Sequence, residues 1–160
     1  MSTTETVRTN RLVLTPLDAA DAAEMVSVLS DPGLYAYTGG EPPSLDQLEE
    51  LYRHQSAGCP HDGETWHNWI LRLDGAAIGY VQATVKGDNA GLAWVVGSPW
   101  QGFGYATEAS VAIRDWLADQ GAARFSAHIH PNHSASNAIA ARLGLHPTGQ
   151  LDDNGEMIWT

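Results

Sequence analysis

Gln101-Gly102-Phe103-Gly104-Tyr105-Ala106-Thr107-Glu108 is the stretch on which the reading of the chain turns. It follows Asn89 to Val96, rich in β-branched and aromatic residues, and the breaker Gly97-Ser98-Pro99. It leads into a helical pattern from about Tyr105 to Gln120 that places Ala109, Ala112, Ile113, Trp116 and Leu117 on one face. A glycine-rich turn between a strand and a helix suits an anion. The glycines let the backbone turn tightly and present successive N–H groups, and the positive end of the helix dipole faces the same point. Two familiar phosphate loops fit poorly. A dinucleotide fingerprint wants Gly or Ala at Thr107 and an acid about 20 residues on, where His128 and His130 stand. A Walker loop needs Gly-Lys-Ser/Thr, and the only lysine, Lys86, belongs to a turn elsewhere.

Upstream of the turn the period is that of strands. Trp66 to Leu73, Ala76 to Val85 and Asn89 to Val96 are separated by Asp74-Gly75 and by Lys86-Gly87-Asp88-Asn89, which is hairpin chemistry and predicts an antiparallel meander. Further back, Arg11 to Thr15 reads as a first strand ended by Pro16, and Asp18 as the N-cap of a helix carrying Met25, Val26 and Leu29. Asp31-Pro32-Gly33 stops that helix, and Ser44 with Gln47 forms a capping box for a second one running to about Gln55. Gly58 to Gly63 reads as loop. Downstream, Gly121 closes the long helix, Phe125 to His130 reads as a strand, Ser134 to Leu143 as a helix stopped by Gly144, and Glu156 to Thr160 as a last strand. Antiparallel strands followed by strand–helix units argue for a mixed α/β sheet.

Composition bounds the function. Eight Lys and Arg against 19 Asp and Glu leave a formal charge of −11 over 160 residues. Nucleic-acid affinity needs a basic patch, which these scattered cations do not make, so nucleic acid is not an expected partner. The acidic balance suits a cationic partner. With 43% hydrophobic and 17% charged residues the chain should fold, and residues 1–160 are expected to form one domain around one core. Met1 to Asn10 is polar, without the apolar core of a secretory signal, and no run approaches the ~20 apolar residues of a membrane span. The expectation is a cytoplasmic protein without a membrane partner. Cys59 is the single cysteine, so no internal disulfide can form.

Read with its flanks, the turn resembles the GNAT superfamily of acyl-CoA-dependent N-acyltransferases, and most closely the branch of the ribosomal-protein N-terminal acetyltransferases, RimJ/RimL-like. The resemblance runs from Thr9-Asn-Arg-Leu-Val-Leu-Thr-Pro-Leu17 through Ile78-Gly79-Tyr80 to Pro99-Trp-Gln-Gly-Phe-Gly-Tyr-Ala-Thr-Glu-Ala109, where Gln101, Gly104 and Ala106 match the family signature. It closes on His130-Pro-Asn-His-Ser-Ala-Ser-Asn137 and Arg142-Leu-Gly-Leu145. The resemblance implies a mostly antiparallel mixed sheet with helices on both faces and with the fourth and fifth strands splayed apart. It implies acetyl-CoA as cosubstrate and no metal. The backbone of Trp94, Val95 and Val96 would pair with the pantetheine arm. The N–H groups of Gln101, Gly102, Phe103, Gly104, Tyr105, Ala106 and Thr107 would hold the pyrophosphate. Ser136 and Asn137 would lie near pantetheine and thioester, with His133 where relatives often carry Asn. Homodimers are common in the family, although no amphipathic seam here shows one.

Acetyl transfer to an amine needs a group that removes a proton from the ammonium and a group that supports the departing thiolate. Members of this branch often carry a Glu on the fourth strand, where this chain has Gly91, and many GNAT enzymes place a Tyr on the last helix, where it has Ala140. Histidine best replaces a missing base near neutral pH, so His128 and His130, on one face of a strand, are the candidate bases and Ser136 the candidate donor to the thiolate. Glu41 is an outside candidate. A metal reading of His128, His130 and His133 with Cys59 and His61 lacks zinc-site spacing. The chain is thus expected to move an acetyl group to a primary amine, such as a small metabolite, polyamine, antibiotic or peptide N-terminus, by direct attack in a ternary complex. The alternatives are a non-catalytic CoA-binding sensor or scaffold, and a transferase of another acyl group.

Overall fold

The computed structural model of the chain describes residues 3–160. Strand β1 (Val7–Arg8) and strand β2 (Val13–Pro16) come first, then helix α1 (Ala22–Val28) and helix α2 (Leu45–Ser56). The predicted meander follows as β3 (Glu64–Leu73), β4 (Ala76–Lys86) and β5 (Asn89–Val96). Helix α3 (Tyr105–Asp119), β6 (Arg124–Ile129), helix α4 (Ser134–Arg142), β7 (Pro147–Leu151) and β8 (Met157–Trp159) complete the chain. Among the described residues the eight strands form one sheet in the order β1-β2-β3-β4-β5-β6-β8-β7.

Several elements form for the reasons the sequence offers. Ser44 accepts from the Gln47 N–H and the Gln47 side chain accepts from the Ser44 N–H, so α2 starts on a complete capping box. Asp74 and Gly75 both take positive φ, 50° and 86°, as the tight β3–β4 turn requires. Others differ. Asp18 caps a short 3₁₀ turn, Ala19–Asp21, and the α-helix begins only at Ala22. The strands β1 and β7 escape the sequence reading, because β1 has two residues and every residue of β7 is exposed, so neither shows an alternating pattern.

Each face of the sheet carries a pair of helices. Met25 and Leu29 from the α1 segment join Leu48 and Tyr52 of α2 over Ile70 and Ala77 of the sheet. On the other face Ala109, Ile113 and Leu117 of α3 and Ala140 of α4 pack on Leu14, Trp69, Val81, Leu92 and Ile129. Burying a side chain such as Met25 or Ile113, both 0% exposed, contributes about 1.5–3 kcal/mol. Two such cores clamp the sheet and fix what lies at its centre.

That centre is an opening. Strands β5 and β6, the fourth and fifth of the sequence reading, are the parallel pair, and their register covers Asn89↔Arg124, Ala90↔Phe125 and Gly91↔Ser126 and then ends. From Ala127 onward β6 pairs with β8, so β5 from Leu92 to Val96 keeps a free edge. On the other side β4 crowds β5 closely: a Cβ built on Gly79 would lie 2.2 Å from the Val95 carbonyl oxygen. Only glycine fits there.

Candidate active site

The cleft at the β5 edge, about 370 Å³, runs between β5, the glycine turn and α4, and its wall includes Trp94, Val95, Val96, Gln101, Gly102 and Gly104. Tyr105, Ala106, Thr107, His133 and Ser136 also line it. Gly102 and Gly104 sit in the left-handed region at φ 86° and 83°, which turns the chain sharply into α3. Gly104 is the N-cap and offers no side chain to the first helical N–H groups, and those of Tyr105, Ala106 and Thr107 make no hydrogen bond among the described residues. The turn therefore ends in open donors at the positive end of a 15-residue helix. Arg142, from the last turn of α4, lines the same cleft and makes no ion pair among the described residues.

The turn is braced from afar. Glu108 accepts from the Thr9 hydroxyl at 2.6 Å, from the Arg11 N–H at 2.9 Å and from Arg11 Nε at 2.8 Å. Burial pushes its carboxyl up, but these bonds outweigh it and hold the group below the usual carboxylate range. The Arg11 guanidinium lies 4.4 Å from the centre of the Tyr105 ring, a cation–π contact.

A second cleft, about 540 Å³, opens on the α1/α2 side of the splay and is lined by Gly91, Ser126, His128, His130 and Glu156 among others. The two clefts share Leu34, Tyr37, Trp94, Val95, His133 and Ser136. Here Trp94 Nε1 donates to Ser136 Oγ at 3.2 Å, and His133 Nε2 stands 3.4 Å from the same oxygen. The Tyr37 ring stacks on His133 at 4.6 Å and lies 5.2 Å from His130. Its segment is held by Asp31, which accepts from the Gly33 N–H and the Ser98 hydroxyl. Burial, and then the nearby His130, push the His133 imidazole below its usual value, so it is neutral at pH 7.

The two candidate bases differ in tautomer. His128 Nδ1 lies 2.7 Å from Asp152 Oδ2, so with an ionised partner Nδ1 carries a proton, and in the neutral ring Nε2 is the acceptor. The His128 bond first, and the N–H groups of Glu156 and Asn154 with it, hold the Asp152 carboxyl below the usual range. His130 Nδ1 instead accepts the Asn132 N–H at 3.0 Å, which puts the proton of its neutral ring on Nε2. In their neutral rings His128 thus presents an acceptor at Nε2 and His130 a donor.

A model of the acetyltransferase (GNAT) domain matches residues 11–146. The chain belongs to the GNAT acetyltransferase family. An acetyltransferase from Agrobacterium tumefaciens strain C58 is 26% identical over 99% of this chain and 95% of its own, with a TM-score of 0.77. The microcin C7 self-immunity acetyltransferase MccE, solved with acetyl-CoA and AMP, is 16% identical over 94% of this chain and 91% of its own, with a TM-score of 0.79. RimL, a ribosomal alpha-N-protein acetyltransferase solved with coenzyme A, is 16% identical over 97% and 94%, also with a TM-score of 0.79. No curated protein matches the chain in sequence. Among the described residues no helix is long and apolar enough to cross a membrane.

In this GNAT chain most of the sequence-predicted site residues come together, and a few stand apart. Phe103 is 59% exposed and off the cleft wall, against Tyr105. Asn137 is also off the wall and donates to the Pro131 carbonyl at 3.1 Å. The Gln101 N–H is spent on the Ser98 carbonyl at 3.3 Å, and its side chain donates to the Val96 carbonyl at 3.0 Å, so Gln101 fastens the turn to β5. Ala140 is fully buried in the α3/α4 core. Glu41 lines a third cavity, not the histidine cleft. Among the described residues no three His, Cys, Asp or Glu are grouped to hold a metal ion. The sequence reading missed Tyr37, Asp152 and Arg142. Of these only Arg142 carried a signal, as a cation in the last turn of a helix already placed beside the cleft.

Proposed function

We propose that this acetyltransferase moves an acetyl group from acetyl-CoA to a primary amine by direct attack in a ternary complex. The observation that carries the reading is the shared wall: the cleft with the open N–H groups and the cleft with the histidines meet at Trp94, His133 and Ser136. Donors fit donor-seeking groups here. The N–H groups of Tyr105 to Thr107 suit a pyrophosphate, Arg142 adds a cation, and the free edge of β5 suits the amides of a pantetheine arm.

His128 Nε2 takes the proton that the amine must lose, and Asp152 keeps the imidazole in the tautomer that can do so. The neutral amine nitrogen then bonds to the thioester carbon as the carbon–sulfur bond breaks, and the extra proton left on nitrogen passes to the sulfur, which departs as the CoA thiol. Ser136, whose oxygen already accepts from Trp94, turns its O–H toward the departing sulfur. His130 donates from Nε2 into the same cleft. Gly91 contributes no carboxylate, and of the two histidines in the cleft His128 is the one whose neutral tautomer leaves an acceptor nitrogen at Nε2.

The test is release of free CoA thiol from acetyl-CoA over a panel of primary amines. Amine-dependent release that collapses in His128→Ala and Ser136→Ala supports the reading. Tight acetyl-CoA binding with no amine-dependent release would leave the chain a CoA-binding sensor or scaffold, as the side-chain-free position Gly91 would then suggest.

A further inference from the structure

We infer that the acceptor is an amine carried on a compact apolar body that ends in one neutral hydroxyl or carboxamide, selected by the cavity beneath α2. The inference rests on the transferase reading above and names its substrate class. The cavity, about 350 Å³, opens beside the histidine cleft and shares Leu34, Thr38, Tyr80, Gln82 and Val95 with it. Its apolar wall comes from Leu17 and Leu29 on the α1 side, Leu48 and Leu51 of α2, and Tyr35 and Pro43. That volume is near the lower end of small-ligand pockets, enough for a single ring or branched chain and too small for an extended peptide.

Charge excludes other amines. Among the described residues no Lys, Arg or His lines the cavity, so a phosphate or carboxylate on the acceptor would go unpaired. Glu41 is the one carboxylate on its wall and is exposed, so a polyamine with several ammonium groups would find one counter-charge. The net charge of −11 lies elsewhere on the molecule. It can draw cations toward the surface, but it does not set the chemistry of this wall.

Two buried polar atoms of α2 define the far end of the ligand. Tyr52 is 4% exposed, and its hydroxyl has no hydrogen-bond partner among the described residues; Gln55 Oε1 is likewise buried and without a partner among them. Both residues line the cavity and, three apart on a helix, share a face. Buried polar groups are seldom left unpaired. Burial first, and then Tyr80, Asp21 and Tyr35, raise the Tyr52 phenol, so it stays a neutral donor. A donor and an acceptor side by side match a group that both accepts and donates, which a hydroxyl or a primary carboxamide does and an ether or an ammonium does not.

The experiment uses tyramine, phenethylamine, 4-(2-aminoethyl)benzamide and spermidine. Turnover is followed with acetyl-CoA, and binding is followed by amide chemical shifts of the CoA-saturated protein. Tyramine and 4-(2-aminoethyl)benzamide should exceed spermidine in kcat/KM by about tenfold or more and should shift the amides of Leu48 to Gln55. Tyr52→Phe should raise the KM of tyramine about fivefold while leaving phenethylamine, which lacks the hydroxyl, nearly unchanged. Leu48→Trp, which fills the cavity, should abolish tyramine binding without weakening acetyl-CoA. Preference for spermidine, or tyramine binding indifferent to both variants, would overturn the inference while the transferase stands. Absence of turnover with every amine would instead strike the transferase reading, and the binding data would still decide whether the cavity takes the apolar amine.

Discussion

The glycine turn and the histidine cleft lie on opposite sides of one wall, yet they are built in opposite ways. The turn is a run of consecutive residues, and its working groups are backbone N–H donors set by two left-handed glycines and a helix start. The cleft is assembled from side chains of separate elements: Trp94 of β5, His128 of β6, Ser136 of α4 and Asp152 after β7. A backbone site is robust to most side-chain changes and depends on conformation, whereas a side-chain site tolerates conformational slack poorly and depends on tautomer and pairing. Substitutions in the two regions should therefore fail differently.

The largest expected effect lies in the cleft. His128→Ala should lower kcat by about 10²–10⁴, the usual range for a lost general base, with the acetyl-CoA dissociation constant unchanged. Asp152→Asn should lower kcat by roughly tenfold and leave KM nearly alone, because it disturbs the tautomer without touching the amine. Single-turnover rates at saturating acetyl-CoA measure both. Equal losses in binding and turnover would erase the contrast between the regions. A wild-type rate in His128→Ala would move the base elsewhere.

The turn should show the reverse pattern. Gly104→Val forces a β-branched residue to φ 83°, where the added Cβ also lies 3.4 Å from Arg11 Nη2. A left-handed conformation costs an L-residue roughly 1–2 kcal/mol, so acetyl-CoA should bind about 5–30-fold more weakly. The rate at saturation should stay close to wild type. Calorimetric titration with acetyl-CoA beside steady-state kinetics reads both quantities, and a fall in kcat with intact affinity would show that the turn acts on the chemistry.

This contrast also explains what could be read from the sequence. The meander, the capping box at Ser44 and the glycine turn are local, and their residues lie within a few positions of one another, so their pattern survives in one dimension. His128 and His130 could be named because they share one face of a predicted strand, and Ser136 because the family resemblance implies a place for it near the thioester. The tautomers of the two histidines could not, because they depend on whether Nδ1 faces the Asp152 carboxylate or the Asn132 N–H. Tyr37 had no signal at all: it is an exposed aromatic in a loop whose position is set by Asp31 and Ser98, 67 residues apart. The acidic composition pointed to a cationic acceptor, whereas the cavity wall beneath α2 is nearly free of charge.

The smallest expected effect tests whether even the local site is wholly local. Glu108 lies in the first turn of α3, and its partners Thr9 and Arg11 are 99 and 97 residues away, so the glycine turn is tied to the start of the sheet by one carboxylate. The folded-state pKa of Glu108 lies below its ordinary 4.5. Its contribution is therefore fully present above about pH 4.5 and is lost as pH falls through the lower folded value. Glu108→Gln should cost about 1–2 kcal/mol at pH 7, as charged hydrogen bonds at a partly buried site are replaced by neutral ones. The gap between variant and wild type in urea unfolding should narrow steadily below pH 4.5, because protonation takes from the wild type what the substitution already removed. If the turn is held only by its own residues, acetyl-CoA affinity will not change in Glu108→Gln. If the long-range brace sets the angle at which the N–H groups emerge, affinity will fall in step with stability, and the backbone site will share the dependence on distant side chains that marks the cleft.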